Sequence, residues 1–438
     1  MSTYTSPLAE ALAPGLLERF VRYARVDTQS DPASATRPST PGQWDLARLL
    51  ARELEELGLE VELAETGFVY GTLPANVDGA DVIGLSAHLD VSPDAPGAGV
   101  EPVVHRDYDG GVLTLPRGAT TLDPQRMPAL RDCVGHDLVT SSGDTLLGAD
   151  DKAGVAEIVT AIAHLAAHPE LPRPRLRVAF GPDEEIGDGA THFDVAGFGA
   201  RCAYTLDGSL LGELQDETFS AVAMELTIAG VGVHPGTARG VLVNAAKLAS
   251  RVLAALPADG LSPETTSGRE GFVHPTAVQA TSTRATIELI VRDFDDAALD
   301  AHVALVRRLA EEVVATEPRA RLEVAVREQY RNMRVHLDEV PEVTEAAAEA
   351  IRREGIEPVR TAIRGGTDGS IMSARGLPTP NLFTGGHEYH SVREWASLQE
   401  MAAASAVVVH LAAVWAARAG RSCDLPPTHQ GGQTPMMR

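Results

Sequence analysis

Hydrophobic positions recur at helical spacing near the start of the chain. Residues 16–26 (LLERFVRYARV) show this pattern, and residues 44–58 (WDLARLLARELEELG) carry apolar side chains at 46, 49, 50, 54 and 57. Such spacing places the apolar side chains on one face of a helix, and Gly58 predicts the end of the second helix. Between the two helices, residues 28–42 are rich in Ser, Thr, Pro and Asp and are predicted to form a loop.

Short, compact apolar runs dominate the next part of the chain. They occupy residues 82–91, 176–185, 202–208 and 379–386, and residues 155–168 between the first two runs show a helical pattern. Apolar strands separated by amphipathic helices are typical of an α/β domain with a largely parallel sheet. We therefore predict an α/β fold for most of the chain.

Residues 218–330 show a different order of elements. Strand and helix patterns alternate as β-α-β-β-α-β, at 219–230, 243–256, 272–280, 283–294, 298–316 and 321–330. This is the ferredoxin-like order, so we predict an inserted α+β domain at 218–330. The surrounding α/β domain would then be discontinuous, comprising 1–217 and 331–420. Residues 421–438 show no periodicity and are expected to be disordered.

Composition and charge narrow the classes of partner. The chain has 438 residues, of which 44% are hydrophobic and 22% charged, with a net charge of -24. That charge would repel nucleic acid and anionic membranes, so neither is expected as a partner. We find no pattern typical of a signal peptide and no run close to the roughly 20 apolar residues of a membrane span. The three cysteines form no CxxC motif, so the cytoplasm is the expected location.

Histidine and carboxylate residues collect where the apolar runs end, and two more acids open the predicted helix that follows LLGADDKAG. In chain order these residues are His88, Asp90, Asp150, Asp151, Glu184, Glu185, Asp207 and His390. Each signal alone fits a solvated surface or a helix N-terminus. Together they suggest a site, because ligands bind beyond the carboxyl ends of parallel strands. Imidazole and carboxylate without thiolate suit zinc, manganese or cobalt, and the number of ligands suits two metals about 3.5–4 Å apart.

Seven segments then show a specific resemblance. They are SAHLD, TLLGADDKAG, PDEE, YTLDG, VHPGTARG, IRGGTDG and NLFTGG…YH. Their order and residues resemble the di-zinc metallopeptidase family that contains tripeptide aminopeptidases, dipeptidases and acetylornithine deacetylase-like amidohydrolases. The resemblance runs from about Thr28 to His390 and is strongest to the tripeptide aminopeptidases. It implies a metal-dependent aminopeptidase that releases the N-terminal residue from tripeptides.

The resemblance also implies a role for each candidate residue at the metal centre. His88 and Asp207 would bind one zinc ion, Glu185 and His390 the other, and Asp150 would bridge the two. Asp90 would orient His88 through its second ring nitrogen, and Glu184 would be the general base. Two positions stay open, because Asp151 competes with Asp150 and His387 competes with His390. Mn²⁺ or Co²⁺ in place of zinc is also compatible with this set.

Three residues are implied to bind the substrate. His234 would reach the scissile carbonyl or its oxyanion, and Arg292 and Arg364 would hold the C-terminal carboxylate of a peptide. The inserted domain would act as a lid or as the interface of a homodimer, with a monomer as the alternative.

The sequence motifs are also compatible with other activities. A dipeptidase or an N-acyl amino acid deacylase of the same fold would use the same metal ligands. A non-catalytic peptide-binding relative and a di-metal phosphohydrolase are more distant alternatives.

Overall fold

The computed structural model describes residues 3–420. The sequence prediction for 421–438 lies outside the described residues. The helices are α1 Pro7–Ala24, α2 Pro41–Glu56, α3 Pro128–Asp132, α4 Ala149–Ala167, α5 Val195–Phe198, α6 Ala245–Ala255, α7 Asp296–Ala315, α8 Arg334–Leu337, α9 Pro341–Arg353, α10 Asp368–Ala374 and α11 Leu398–Ala417. Short 3-10 turns occur at Ala190–His192 and Pro235–Thr237.

The strands of the described residues form four sheets. They are β1 Glu60–Leu63, β2 Val69–Leu73, β3 Ile83–His88, β4 Val103–His105, β5 Leu113–Thr114, β6 Thr121–Leu122, β7 Leu138–Thr140, β8 Leu176–Gly181, β9 Cys202–Gly208, β10 Glu213–Thr218, β11 Ser220–Ala229, β12 Phe272–Ala280, β13 Arg284–Asp293, β14 Arg321–Tyr330, β15 Val359–Ile363, β16 Asn381–Phe383, β17 Gly386–His387 and β18 Trp395–Ser397.

The chain divides into two compact units. The second unit comprises Glu217–Val335 and Thr361–Ile371, and the first comprises the described residues before, between and after those segments. The proposed insertion at 218–330 lies inside the second unit. That unit also takes in 331–335 and the separate segment 361–371, which the hydrophobic pattern did not distinguish from its surroundings.

The first unit is built on an eight-stranded sheet in the order β1-β2-β8-β3-β9-β16-β10-β15. The four neighbours β8, β3, β9 and β16 run parallel, and β1, β2 and β10 join them in antiparallel pairs. Every residue of β3 is buried, as expected for a parallel strand covered on both faces. The carboxyl ends of the four parallel strands therefore meet at one edge of the sheet.

Helix α4 packs directly on β3 and β9 and also contacts α1 and α11. Its close approach depends on Gly154, since a Cβ there would lie 1.9 Å from the carbonyl oxygen of Leu206 in β9. The residue before the helix, Gly148, is its N-cap and has a φ of 77°, a conformation that favours glycine. The chain thus turns from a loop into a buried helix at the two aspartates, Asp150 and Asp151.

Helix α11 corrects one sequence expectation. Its 20 residues are long and apolar enough to cross a membrane, although we expected no such run. The helix packs against α1, α4 and α9, and 83% of its apolar window is buried within the protein. Its composition is therefore that of a core helix, which is hydrophobic on all sides because protein surrounds it.

A smaller antiparallel sheet, in the order β17-β18-β7-β4, lies within the first unit. Its strands are two or three residues long. Pairing of Ser397 with Leu138 places the N-terminus of α11 beside the loop before β7. The same sheet fixes the start of the loop that carries His390, because His387 pairs with Trp395.

The second unit contains a four-stranded antiparallel sheet in the order β12-β13-β11-β14, with α6 and α7 packed against it. Along the chain the elements follow as β11, α6, β12, β13, α7 and β14. This confirms the predicted β-α-β-β-α-β order. Its buried apolar cluster includes Leu226, Ile287 and Val306, contributed by two strands and α7.

Candidate metal centre

The carboxyl ends of the parallel strands bring most of the candidate residues together. His88 is the last residue of β3, Asp207 lies near the end of β9, and Glu184 and Glu185 follow β8. Asp150 enters from the start of α4, and His390 from the loop between β17 and β18. The clustering follows from the parallel topology, which carries residues distant in sequence to one edge.

Asp150 occupies the middle of the cluster. Its Oδ1 lies 2.9 Å from His88 Nε2, and its Oδ2 lies 3.3 Å from His390 Nε2. The two oxygens of one carboxylate therefore face two different imidazoles. A carboxylate placed in this way can bridge two cations, each also held by one of the histidines.

Each histidine has a further carboxylate beside it. Asp207 Oδ1 lies 3.8 Å from His88 Nε2, and Glu185 Oε2 lies 3.0 Å from His390 Nε2. Ligand atoms of His88, Asp150 and Glu185 come within 4.8 Å of one another, as do those of His88, Asp151 and Asp207. Both groups contain His88, one with Asp150 and Glu185 and the other with Asp151 and Asp207.

Asp151 is engaged in a different way from Asp150. Its Oδ2 accepts a hydrogen bond from the backbone N–H of His88, and its Oδ1 accepts one from Gly154, at 3.1 and 3.2 Å. Asp151 therefore ties the end of β3 to the first turn of α4. These contacts support the role of Asp151 in positioning the bridge rather than in forming it.

Asp90 connects the first histidine to the segment that bears Glu184. Its backbone oxygen lies 3.0 Å from His88 Nδ1, and its carboxylate Oδ1 lies 3.4 Å from the same nitrogen. The two carboxylate oxygens also accept the backbone N–H groups of Glu184 and Glu185, at 2.9 and 3.1 Å. One buried side chain thus orients both an imidazole and the acidic pair.

The electrostatics of the cluster favour bound cations. Burial raises the pKa of Asp207 well above its usual value, and the nearby carboxylates of Asp150 and Asp151 raise it further. Burial and Asp150 likewise raise the pKa of Glu185. Hydrogen bonds to Asp150 and Glu185 raise the pKa of His390 to about 11. Crowded carboxylates of this kind become stable as anions when a positive charge lies between them.

The donor set also fits a metal pair chemically. It offers two imidazole nitrogens and several carboxylate oxygens without a thiolate, which suits a hydrolytic divalent metal. Glu185 Oε1 is buried and has no hydrogen-bond partner among the described residues. A buried carboxylate oxygen without a partner is costly, and a metal ligand bond would satisfy it.

Several supporting residues could not be identified from sequence. Asp183 precedes the acidic pair in a left-handed conformation, with φ 61°, and accepts hydrogen bonds from Ser39 and Gln43. The buried carboxylate of Glu394 accepts the backbone N–H groups of Leu147, Gly148 and Asp150 at 2.8–3.0 Å. Their only sequence signal is their position next to the motifs.

The second ring nitrogen of His390 also has a carboxylate partner. Asp94 Oδ2 lies 3.0 Å from His390 Nδ1, and His390 itself has a left-handed φ of 59°. Non-glycine residues in that region are uncommon and often occur at functional sites. Asp94 was not singled out from sequence, because an exposed Asp in a polar loop has no distinctive pattern.

His387 lies in a different environment from His390. Its Nε2 is 2.8 Å from Glu400 Oε2, its Nδ1 is 3.4 Å from Ser209 Oγ, and its ring stacks on Trp395. The structure therefore places His390, not His387, beside Asp150 and Glu185.

The three candidate substrate-binding residues belong to the second unit. The guanidinium carbons of Arg292 and Arg364 lie 5.8 and 5.7 Å from the centre of the Phe272 ring. Arg292 Nη1 lies 3.5 Å from the backbone oxygen of Arg364, so the structure brings these two residues together. His234 is exposed, and its Nδ1 accepts the backbone N–H of Gly236 at 3.1 Å.

The fold and cluster are those of a metallopeptidase, and comparison with known proteins identifies the family. Residues 146–414 match Peptidase family M20/M25/M40. The chain therefore belongs to this family and is a peptide-bond hydrolase.

One curated relative and two solved structures are similar to most of the chain. The chain is 46% identical over 406 residues to Peptidase T of Salmonella enteritidis PT4 (strain P125109). The aligned region covers 92% of this chain and 99% of that protein. Among solved structures, it is similar to aminopeptidase PepT from Bacillus cereus ATCC 10987, with a TM-score of 0.72 and 24% identity over 92% of this chain and 99% of that chain. A tripeptidase from Staphylococcus aureus subsp. aureus mu50 gives a TM-score of 0.73 and 19% identity, with coverage of 92% and 99%.

These findings confirm the family expected from the sequence motifs and the predicted fold class. They also confirm the predicted enzyme class, a hydrolase that acts on peptide bonds.

Proposed function

We propose that the protein is a two-zinc aminopeptidase that releases the N-terminal residue of tripeptides. The observation that carries the proposal is the placement of Asp150, whose two oxygens face His88 and His390, each beside a further carboxylate. The similarity to Peptidase T and to a solved tripeptidase supports the choice of substrate. Zinc is proposed because the sequence motifs resemble a di-zinc family, and the imidazole and carboxylate donors fit zinc as well as Mn²⁺ or Co²⁺.

The residues of the cluster would bind two zinc ions. His88 and Asp207 would hold one zinc ion, Glu185 and His390 would hold the other, and Asp150 would lie between them as a shared ligand. Such a pair of ions polarises a carbonyl and lowers the pKa of a shared water.

Glu184 is the proposed general base. Its backbone N–H is anchored on Asp90, so the side chain starts from a fixed point next to the ligand Glu185. It accepts a proton from the attacking water and then donates that proton to the departing amine nitrogen. Asp90 fixes both Glu184 and His88 and is therefore a positioning residue.

The proposed substrate contacts are made by His234, Arg292 and Arg364. In His234 the Nδ1 atom is an acceptor, so the proton lies on Nε2. That N–H can donate to the developing oxyanion of the peptide. Arg292 and Arg364 carry neighbouring positive charges within one unit and are proposed to bind the C-terminal carboxylate of a short peptide. Binding of that carboxylate by two positive charges would favour short peptides over long ones.

The assembly and the location of the protein are also proposed. We propose a homodimer through the inserted domain, and sedimentation equilibrium giving the mass of one chain would exclude it. The cytoplasm is proposed as the location because the described cysteines, Cys133 and Cys202, are unpaired thiols, as is usual in a reducing compartment. Recovery of the native protein in an extracellular fraction would contradict this location.

A panel of alanine peptides tests the proposed activity. Free alanine is measured after incubation with di-, tri- and tetra-alanine and with N-acetyl-trialanine, each with a chelator and after zinc is added back. We expect chelator-sensitive cleavage that is highest for trialanine and absent for the acetylated peptide, because the free amine marks the N-terminus.

The other outcomes lead to different conclusions. Preferential cleavage of dialanine would indicate a dipeptidase, and cleavage of the acetylated peptide would indicate a deacylase. Absence of cleavage with both metals bound would indicate a non-catalytic peptide-binding relative. Each of these results would contradict the tripeptide proposal.

A further inference from the structure

A second cluster of metal-ligating side chains lies within the first unit, outside the centre described above. It consists of Cys133, His136 and Glu400, whose ligand atoms all come within 4.8 Å of one another. Cys133 and Glu400 are buried, and His136 is half-buried. We propose that this cluster is a separate binding site for a zinc ion.

The backbone holds these three side chains together. Cys133 follows α3, and the N–H of His136 donates to the carbonyl oxygen of Cys133 at 2.9 Å, which closes a tight turn. Glu400 lies in the first turn of α11. The N–H of Leu398 donates to the carbonyl oxygen of Asp137 at 2.9 Å, which ties this helix to the turn. The ligands therefore come from two segments that are already fixed to each other.

The separations suit a thiolate-containing zinc site. Cys133 Sγ lies 3.7 Å from Glu400 Oε1. In a tetrahedral site, Zn–S is about 2.3 Å and Zn–O about 2.0–2.2 Å, so neighbouring sulfur and oxygen ligands are separated by roughly this distance. Three protein ligands leave one position for water or for the hydroxyl of Ser397, whose Oγ lies 2.9 Å from His136 Nδ1.

The Glu400 carboxylate is oriented by a hydrogen bond, as the carboxylate ligands of metal sites commonly are. Its other oxygen, Oε2, receives His387 Nε2 at 2.8 Å, and the His387 ring stacks on Trp395 with 4.0 Å between ring centres. Metal-binding carboxylates are commonly oriented by such hydrogen bonds. This arrangement also explains His387, a motif residue that the catalytic centre does not use.

Charge balance supports the same conclusion. Burial raises the pKa of the Cys133 thiol, and the neighbouring Glu400 carboxylate raises it further. A divalent cation would neutralise a thiolate and a carboxylate together, with release of the thiol proton.

Cobalt spectroscopy can separate this site from the catalytic centre. The full-length protein is loaded with Co²⁺ in a Cys423→Ser background, because Cys423 lies outside the described residues. A thiolate bound to Co²⁺ gives a near-ultraviolet charge-transfer band, whereas the catalytic cluster contains only nitrogen and oxygen donors. We expect the band and three bound ions per chain.

Single substitutions identify the ligands. Cys133→Ser should abolish the band and reduce the bound ions from three to two, and His136→Gln should also lose the third ion. The matched control is Cys202→Ser, which removes a buried thiol of β9 and should keep both the band and three ions. Circular dichroism shows which variants are folded, and His136→Gln serves if Cys133→Ser does not fold.

Two results would overturn the proposal. One is a folded protein with two bound Co²⁺ ions and no charge-transfer band. The other is a band that survives in folded Cys133→Ser. Neither result depends on peptidase activity, so failure here is distinguishable from failure of the proposed function.

Discussion

Two adjacent aspartates at the start of α4 serve different purposes. Asp150 turns both oxygens toward histidines, whereas both oxygens of Asp151 accept backbone N–H groups. The adjacent carboxylates of Asp150 and Asp151 are compatible with folding for two reasons. Glu394 accepts the backbone N–H of Asp150 and so fixes the backbone there, and bound cations would offset the negative charges. The position of each carboxylate, rather than its residue type, decides which one can bridge metals.

The general base gives the sharpest prediction for a single residue. Glu184→Gln should lower the turnover of trialanine by about 10²–10⁴-fold, because the amide cannot accept the proton of the attacking water. Metal content should stay at the wild-type level, since Glu184 is not a proposed ligand. Steady-state kinetics together with metal analysis measure both quantities.

The neighbouring Glu185→Gln is the matched comparison. It removes a proposed ligand and should therefore lose metal as well as activity. Wild-type turnover in Glu184→Gln would remove Glu184 from the role of base, and loss of metal from that variant would make it a ligand instead.

Among the elements, hydrophobic spacing located several of the longer strands and helices, but helices α9 and α11 and the six-residue strand β10 were not identified from the sequence. The predicted strands 202–208, 272–280 and 321–330 coincide with β9, β12 and β14. The short strands β7, β17 and β18 were missed, because two or three residues cannot display a period. Helix α1 also begins earlier than expected, at Pro7 after the N-cap Ser6, because its first turns are less regularly patterned.

The site was predictable only in part for a related reason. His88 and Asp207 stand out because they follow apolar runs, and a parallel sheet gathers such positions at one edge. Asp94, Asp183 and Glu394 are polar residues in loops, and their contacts depend on the folded backbone. These three residues reach the metal centre because strands that are distant in sequence pair in the folded protein.

Packing of α4 on the sheet leads to a prediction at the level of elements. Gly154→Ala should destabilise the protein by about 1–3 kcal/mol or more, because the new Cβ would overlap the carbonyl oxygen of Leu206 in β9. The shift of α4 should also weaken metal binding, since α4 carries Asp150. Urea unfolding measures the free energy of unfolding, and metal competition measures affinity.

Gly15→Ala in α1 is the matched control. A Cβ at Gly15 would meet only the end of the flexible Arg19 side chain, at 3.2 Å. This change should be neutral or stabilising by up to about 1 kcal/mol, because alanine favours the helix. Equal effects of the two substitutions would contradict the close packing described for Gly154.

For the whole molecule, hydrophobic patterning indicated two kinds of structure, whereas the division of the chain into compact units depends on tertiary contacts. The second unit includes Thr361–Ile371, a segment far from the rest of that unit in sequence. Helix α11 shows the same limit, because composition alone cannot distinguish a buried core helix from one that crosses a membrane. Both features become clear only from tertiary contacts.

The most direct test of the account is zinc-dependent release of alanine from trialanine by metal-stripped protein. The Cys133→Ser variant is used, so that ions bound at the separate cluster are not counted. We predict no cleavage without metal and a rate that reaches its plateau when two zinc ions are bound per chain. Cleavage by the stripped protein, or a plateau at one ion per chain, would contradict the proposed two-metal centre bridged by Asp150.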